Sequence, residues 1–202
     1  MRATIVDYGM ANLRSVQKAI EAVGGQAEVT ADPNRVAAAE RLIVPGVGAF
    51  RDAMARLRET GLAEVIQTHV RADRPFFGIC LGLQLLFEKG REDGEHQGLG
   101  LLPGTVERLA AGPGVKVPHM GWNQVRATRP HPYLATDIDG GWFYFVHSYA
   151  ARPSDPELTL LTADHGETFT AAVAHGRLFA TQFHPEKSQA IGRRLLQRFL
   201  LA

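Results

Sequence analysis

The sequence predicts an α/β fold: a mostly parallel, doubly wound sheet with helices on both faces, plus an antiparallel C-terminal extension. Three observations predict it. The first half alternates short apolar runs with segments of helical spacing, the order that builds a parallel sheet. Strand-like runs and a hairpin turn dominate the second half. Between them, an apolar run ends in Gly78-Ile79-Cys80-Leu81-Gly82, a sharp strand-to-helix bend at the only cysteine of the chain.

The elements follow in order. Ala3 to Val6 is a short apolar strand. Leu13, Val16, Ile20 and Val23 have helical spacing, stopped by Gly24-Gly25. Ala27 to Thr30 is a second strand, and Arg41 to Val44 a third that runs into Pro45-Gly46-Val47-Gly48. Phe50, Met54 and Leu57 mark one helix; Leu62, Val65 and Ile66 mark another. The run from Pro75 to Ile79 is the strand before Cys80, and Leu83, Leu86 and Phe87 continue as helix. In such sheets ligands bind beyond the carboxyl ends of the strands. Three loops converge there: Asp7 to Asn12, Pro45 to Gly48 and the Cys80 bend.

In the second half, strands are expected at Gly104 to Leu109, Trp142 to His147, Leu158 to Thr162, Thr170 to Ala174 and Leu178 to Gln182. His175-Gly176 turns the last hairpin. The Ser188 region caps a final helix carrying Ile191, Leu195, Leu196, Phe199 and Leu200. No linker, repeat or low-complexity stretch interrupts the chain, so residues 1–202 are expected to form one domain.

Composition narrows the function. A length of 202 residues suffices for one well-buried α/β domain. A formal net charge of +1 without a basic block points away from nucleic acid. No apolar run is long enough to span a bilayer. A lone cysteine excludes an intrachain disulfide framework and fits a reducing compartment. The N-terminal segment lacks the apolar region of a signal peptide, so a cytoplasmic setting is expected. No histidine cluster has zinc spacing, and no phosphate-binding glycine motif follows a strand, so neither metal nor cofactor is expected.

The glycines around Cys80 allow a tight bend and keep side chains away from the sulfur. The arrangement is the cysteine counterpart of a nucleophile elbow, which presents its side chain beside main-chain N–H groups at a helix start. A thiol nucleophile needs a base, and Gln182-Phe183-His184-Pro185-Glu186 supplies one at the end of the last strand. His184 and Glu186 are two apart, so an extended segment points both to one side. The carboxylate would hold the imidazole in one tautomer and stabilise its cation. A cationic ring beside the sulfur would raise the reactive thiolate fraction.

Gly78-Ile79-Cys80-Leu81-Gly82-Leu83-Gln84, Pro45-Gly46-Val47-Gly48 and His184-Pro185-Glu186 together resemble the class I (triad) glutamine amidotransferases. The match in order and spacing extends over nearly the whole chain. Asp7-Tyr8-Gly9-Met10-Ala11-Asn12-Leu13, Pro118-His119-Met120-Gly121-Trp122-Asn123 and Phe145-Val146-His147-Ser148-Tyr149 resemble the glutaminase subunits of imidazole glycerol phosphate synthase, which work in histidine biosynthesis. Ala11 stands where those subunits commonly have glycine.

The resemblance implies a Cys80, His184, Glu186 triad that hydrolyses glutamine through a thioester on Cys80. It implies oxyanion donors from Leu81 and from Val47 and Gly48, with a peptide flip needed to present the Val47 N–H. It places Gly48, Gln84, Glu92, Ser148 and Tyr149 near bound glutamine, Glu92 toward the α-ammonium. It places Asn12, Trp122 and Lys187 toward a cyclase subunit with a (β/α)₈ barrel, which receives the ammonia in a heterodimer. Activity is expected to stay low until that subunit is loaded. The competing readings are a glutaminase for anthranilate, carbamoyl phosphate, guanylate or pyridoxal phosphate synthesis, a stand-alone cysteine γ-glutamyl hydrolase, and a catalytically idle regulatory module.

Overall fold

Alternating apolar side chains give the early strands two buried faces, and each face packs on its own set of helices. A computed structural model describes residues 1–112, 114–134 and 137–201. The first half runs β1 Arg2–Val6, α1 Leu13–Glu21, β2 Gln26–Thr30, α2 Pro33–Ala37, β3 Leu42–Gly46, α3 Phe50–Glu59, α4 Leu62–Arg71, β4 Phe76–Cys80 and α5 Leu81–Gln84. The second runs β5 Phe87–Gly90, β6 His96–Gln97, β7 Leu102–Arg108, β8 His119–Gln124, β9 Arg126–Ala127, β10 Trp142–His147 and β11 Tyr149–Pro153. It ends with β12 Thr159–Asp164, β13 Thr168–His175, β14 Leu178–Thr181 and α6 Gln189–Leu201.

The main sheet has the order β2-β1-β3-β4-β14-β13-β12-β9. Its first five strands are mutually parallel and the last three antiparallel, the predicted division. In β3, Leu42 and Val44 join a core with Met54, Leu57 and Ile66, while Ile43 joins the opposite core with Ile20 and Phe199. Phe76 and Phe77 divide the same way in β4. Burying each such side chain contributes about 1.5–3 kcal/mol. Because β14 lies beside β4, the segment holding His184 emerges next to the Cys80 bend.

Two expectations are corrected and one is filled out. The helix after Cys80 stops at Gln84, and Phe87 begins a strand. The cause is a competing partner: the Leu86 carbonyl accepts the N–H groups of Leu101 and Leu102, and the Phe87 carbonyl that of Gly100. Gly98 permits this approach, since a Cβ there would strike the Phe87 carbonyl. The antiparallel extension is as expected, and the second half adds to it. It also forms a ribbon of β8 with β10, and a sheet of order β11-β7-β5-β6. Finally, the Ser188 side chain does not cap α6. Its Oγ accepts the Tyr144 N–H at 3.0 Å and donates to the His184 carbonyl at 2.6 Å. The Ser188 carbonyl receives the Gly192 N–H instead.

The helix α2 was not anticipated, although Asp32 caps it by accepting the Asn34 N–H. Among the described residues, no helix is long and apolar enough to cross a membrane.

Candidate active site

Cys80 ends β4 at φ 56°, the left-handed region that side chains rarely adopt. Holding a non-glycine residue there costs on the order of 1–3 kcal/mol, supplied by the surrounding packing. Gly82 makes the bend possible, because a Cβ on it would run into the Val44 carbonyl. The result leaves Cys80 6% exposed at the wall of a cavity of about 550 Å³.

His184 follows β14, held by its N–H on the Tyr144 carbonyl at 2.9 Å. The residues after it make a short 3-10 turn, Pro185–Lys187, on which α6 packs; a Cβ at Gly192 would strike the Pro185 carbonyl. This turn brings Glu186 Oε1 to 2.7 Å from His184 Nδ1, with both side chains almost wholly buried. An acceptor carboxylate places the proton on Nδ1. Among the described residues, the other ring nitrogen, Nε2, is buried with no hydrogen-bond partner, as is Glu186 Oε2. Burial works against a charge on His184, but the Cys80 sulfur and Glu186 outweigh it and raise the ring to about 10. Sulfur, imidazole and carboxylate thus form one electrostatic unit, drawn from opposite halves of the chain.

The cavity wall includes Val47, Gly48, Leu81, Gln84, Glu92, Ser148 and Tyr149, all singled out from sequence. Their geometry refines the expected roles. Leu81 opens α5, so its N–H has no acceptor within the helix. The Val47 N–H, by contrast, donates to the Met10 carbonyl at 2.9 Å and is not available as an oxyanion donor in this conformation. Gly48 has φ +96°, a conformation suited to glycine. Glu92 Oε2 accepts the Phe50 N–H at 2.8 Å and so caps α3, whose own preceding residue, Ala49, has no capping group. Gln84 Nε2 donates to the Tyr149 carbonyl at 2.9 Å and to Gln182 Oε1 at 3.0 Å.

Two residues escaped the sequence reading. Gln182 is fully buried with Nε2 3.6 Å from the Cys80 sulfur. The signal was its place two residues before His184. Tyr8 is buried with its hydroxyl against Gly46 and, among the described residues, without a hydrogen-bond partner; burial first, then the charge of Cys80, lifts it above the usual tyrosine range. Nothing within the Asp7 to Leu13 segment sets it apart from its neighbours. In the same loop Gly9 takes the positive φ, 84°, and Ala11 does not need one.

The residues assigned to a partner lie outside the cavity. Asn12 is exposed at the start of α1. Trp122 is 45% exposed on the outer face of the ribbon, edge-on to Tyr144 at 6.2 Å. Lys187 Nζ sits 5.7 Å over the same Tyr144 ring.

The model of the glutamine amidotransferase class-I family matches residues 4–202. The chain belongs to the class-I glutamine amidotransferases. Among curated relatives, the imidazole glycerol phosphate synthase subunit HisH of Rhodopirellula baltica is 55% identical over 98% of this chain and 97% of its own length. HisH of Syntrophotalea carbinolica is 54% identical over 96% and 97%, and HisH of Aquifex aeolicus 50% over 98% and 96%. Likeness at this level places the chain among the HisH subunits. Solved structures agree on the fold. A glutamine amidotransferase superposes with TM-score 0.73 at 24% identity, covering 98% of this chain and 97% of that one. PurLQS of Thermotoga maritima gives 0.73 at 20% identity, covering 99% and 97%. As a class-I amidotransferase the chain is an enzyme of glutamine amide chemistry, and its HisH kinship ties it to histidine biosynthesis.

Proposed function

We propose that residues 1–202 act as one glutaminase domain that releases ammonia from glutamine through Cys80, His184 and Glu186. The observation that carries this reading is the buried His184 ring. Its Nδ1 is held by Glu186, while its Nε2 has no partner and lies in the field of the Cys80 sulfur.

The sulfur attacks the side-chain amide carbon of glutamine while His184 holds the thiol proton. The oxyanion that forms is met by the Leu81 N–H. A second donor, the Val47 N–H, becomes available only when its peptide turns away from the Met10 carbonyl. One such donor is worth about 3–4 kcal/mol of barrier. His184 then protonates the departing nitrogen, which leaves as ammonia, and the thioester remains on Cys80. Water, deprotonated by His184, attacks that thioester, and glutamate departs as the sulfur is restored. Gly48, Gln84, Ser148 and Tyr149 shape the pocket; Gln84 offers the substrate its Oε1, since its amide nitrogen is already bonded. Glu92 serves the α-ammonium while still capping α3.

Ammonia released into water becomes ammonium, so the product must pass directly to an acceptor. The acceptor is a cyclase subunit with a (β/α)₈ barrel, forming a cytoplasmic heterodimer with lyase activity. Asn12, Trp122 and Lys187 face it. The Met10 to Val47 hydrogen bond holds the free subunit in a quiet state, which docking of the loaded cyclase relieves.

Glutamine hydrolysis measured with and without the cyclase and its nucleotide ligand tests both parts. Hydrolysis that rises on mixing and disappears in Cys80→Ala supports the proposal. Equal rates in the two conditions would remove the switch, and full activity in Cys80→Ala would remove the mechanism.

A further inference from the structure

The ribbon of β8 and β10 brings His119 and His147 into direct register, and their rings lie between its outer face and the glutamine cavity. Both are buried, and the mechanism above uses neither. The position of every proton between them follows from their partners. His147 Nδ1 lies 2.9 Å from the Tyr149 carbonyl, which only accepts, so Nδ1 carries the hydrogen. In a neutral ring Nε2 is then bare. It lies 2.9 Å from His119 Nδ1, which must donate. His119 Nε2 is bare in turn and lies 3.2 Å from Asn123 Nδ2.

The opposite end gives the same direction independently. Asn123 Oδ1 accepts the Gln124 N–H at 2.8 Å, and its Nδ2 donates to the Asp164 carbonyl at 2.9 Å. Main-chain groups therefore orient this amide, and the nitrogen facing His119 can only donate. The chain continues inward. The Tyr149 carbonyl that His147 holds also accepts from Gln84, which donates to Gln182, whose Nε2 faces the Cys80 sulfur.

We propose that His119 and His147 are positioning residues for the glutaminase site: a one-way pair of neutral rings that fixes the Tyr149 carbonyl and, through Gln84 and Gln182, the donor beside the Cys80 sulfur. This rests on the glutaminase reading and extends it to the ribbon. A proton added to either ring would set donor against donor, at Asn123 or between the two rings. The titratable groups facing the pair are His165, stacked on His119 at 4.2 Å, and His184 and Cys80 on the cavity side. Among the described residues, these groups include no carboxylate, and the neighbouring histidines oppose a cation on either ring.

Long-range proton–nitrogen NMR of the ¹⁵N-histidine-labelled chain reads the rings directly. Both are expected as the Nδ1–H tautomer, neutral at pH 7 and at pH 5.5. An Nε2–H tautomer or a charged ring at either position overturns the proposal. Kinetics with the synthase partner present reads the consequence. His119→Phe keeps the ring's bulk and removes the donor. Its kcat is expected to fall about tenfold, the cost of one buried acceptor left unmet, with KM changed less than about twofold. The acid limb of its pH profile should also move upward, because His147 Nε2 is freed to take a proton facing His184. In His119→Asn an amide nitrogen stands where Nδ1 does, and kcat should return to within about threefold of wild type. A His119→Phe enzyme with wild-type kcat and pH profile overturns the proposal. Hydrolysis surviving in Cys80→Ala would instead overturn the glutaminase reading, on which the NMR result does not depend.

Discussion

Two buried histidines near the Cys80 sulfur behave in opposite ways. Burial disfavours the cation at both. At His184 the sulfur and Glu186 reverse that effect and hold the ring charged, raised to about 10. At His147 burial dominates, helped by His119, His165 and His184 and opposed only by the bond to the Tyr149 carbonyl, and the ring is held neutral, lowered to about 3. The first region leaves polar atoms without partners, His184 Nε2 and Glu186 Oε2. The second pairs both nitrogens of both rings. Burial pushes both rings toward neutrality, and the charge is decided by whether partners outweigh it, as they do at His184 and do not at His147. On the proposed mechanism the charged region moves a proton, and on the proposal for the ribbon the neutral one holds a carbonyl still.

The largest test of this contrast removes the charged ring. His184→Ala should lower glutamine hydrolysis by about 10⁴-fold or more, since triad members act as a unit. Activity within tenfold of wild type would mean that the contrast has no catalytic meaning. Glu186→Gln is subtler, because it keeps the shape and removes the charge. A loss of about 10²–10⁴ in kcat is expected, together with a downward shift of His184 read by NMR titration.

Stability against pH separates the two regions by sign. His119 and His147 are lowered to about 4 and 3, and His69, buried in α4 with Nε2 2.9 Å from the Pro75 carbonyl and outside both regions, to about 4, in each case chiefly by burial. Between those values and the unfolded value near 6.5, the unfolded chain binds more protons. Their contribution is complete above about pH 6.5 and declines as pH falls, by up to about 1.4 kcal/mol per ring per pH unit. His184, raised, contributes fully below the unfolded value and loses its contribution as pH climbs through about 10. Denaturant midpoints at pH 7, 6 and 5 check the acid side, and His69→Phe should give a shallower slope than wild type. An unchanged slope would show that His69 is charged in the folded state. The smallest effect is expected at the outer face of the ribbon. Trp122→Ala should weaken cyclase binding about tenfold while Cys80 still reacts with a glutamine-analogue electrophile. Unaltered binding would place the docking surface elsewhere.

Much of this could be read along the chain. The parallel strands were legible because buried strands are short apolar runs, and helices show their period. Cys80 was legible because a tight bend constrains geometry locally; His184 and Glu186 were paired on the expectation of an extended segment, whereas the 3-10 turn Pro185–Lys187 is what brings them together. Phe87 was misread because its helical spacing with Leu83 yields to pairing with residues 99–102, a contact that no local pattern records. Glu92 was placed near the substrate, yet its bond to the Phe50 N–H joins residues 42 apart and needs the fold to be seen. Gln182 had only its place two residues before His184 to mark it, and nothing within the Asp7 to Leu13 segment sets Tyr8 apart from its neighbours.

The sequence by itself marked the short apolar strands, the glycine-flanked bend at Cys80 and the three side chains proposed to react, because strand period, bend glycines and residue types are local properties of the chain. Only the tertiary structure decided which groups are charged, which carbonyl holds the Val47 N–H, and which way the protons point from Asn123 to Tyr149. Those outcomes depend on donors, acceptors and burial supplied by strands distant along the chain, and a hydrogen bond has a direction only when both of its ends are in place.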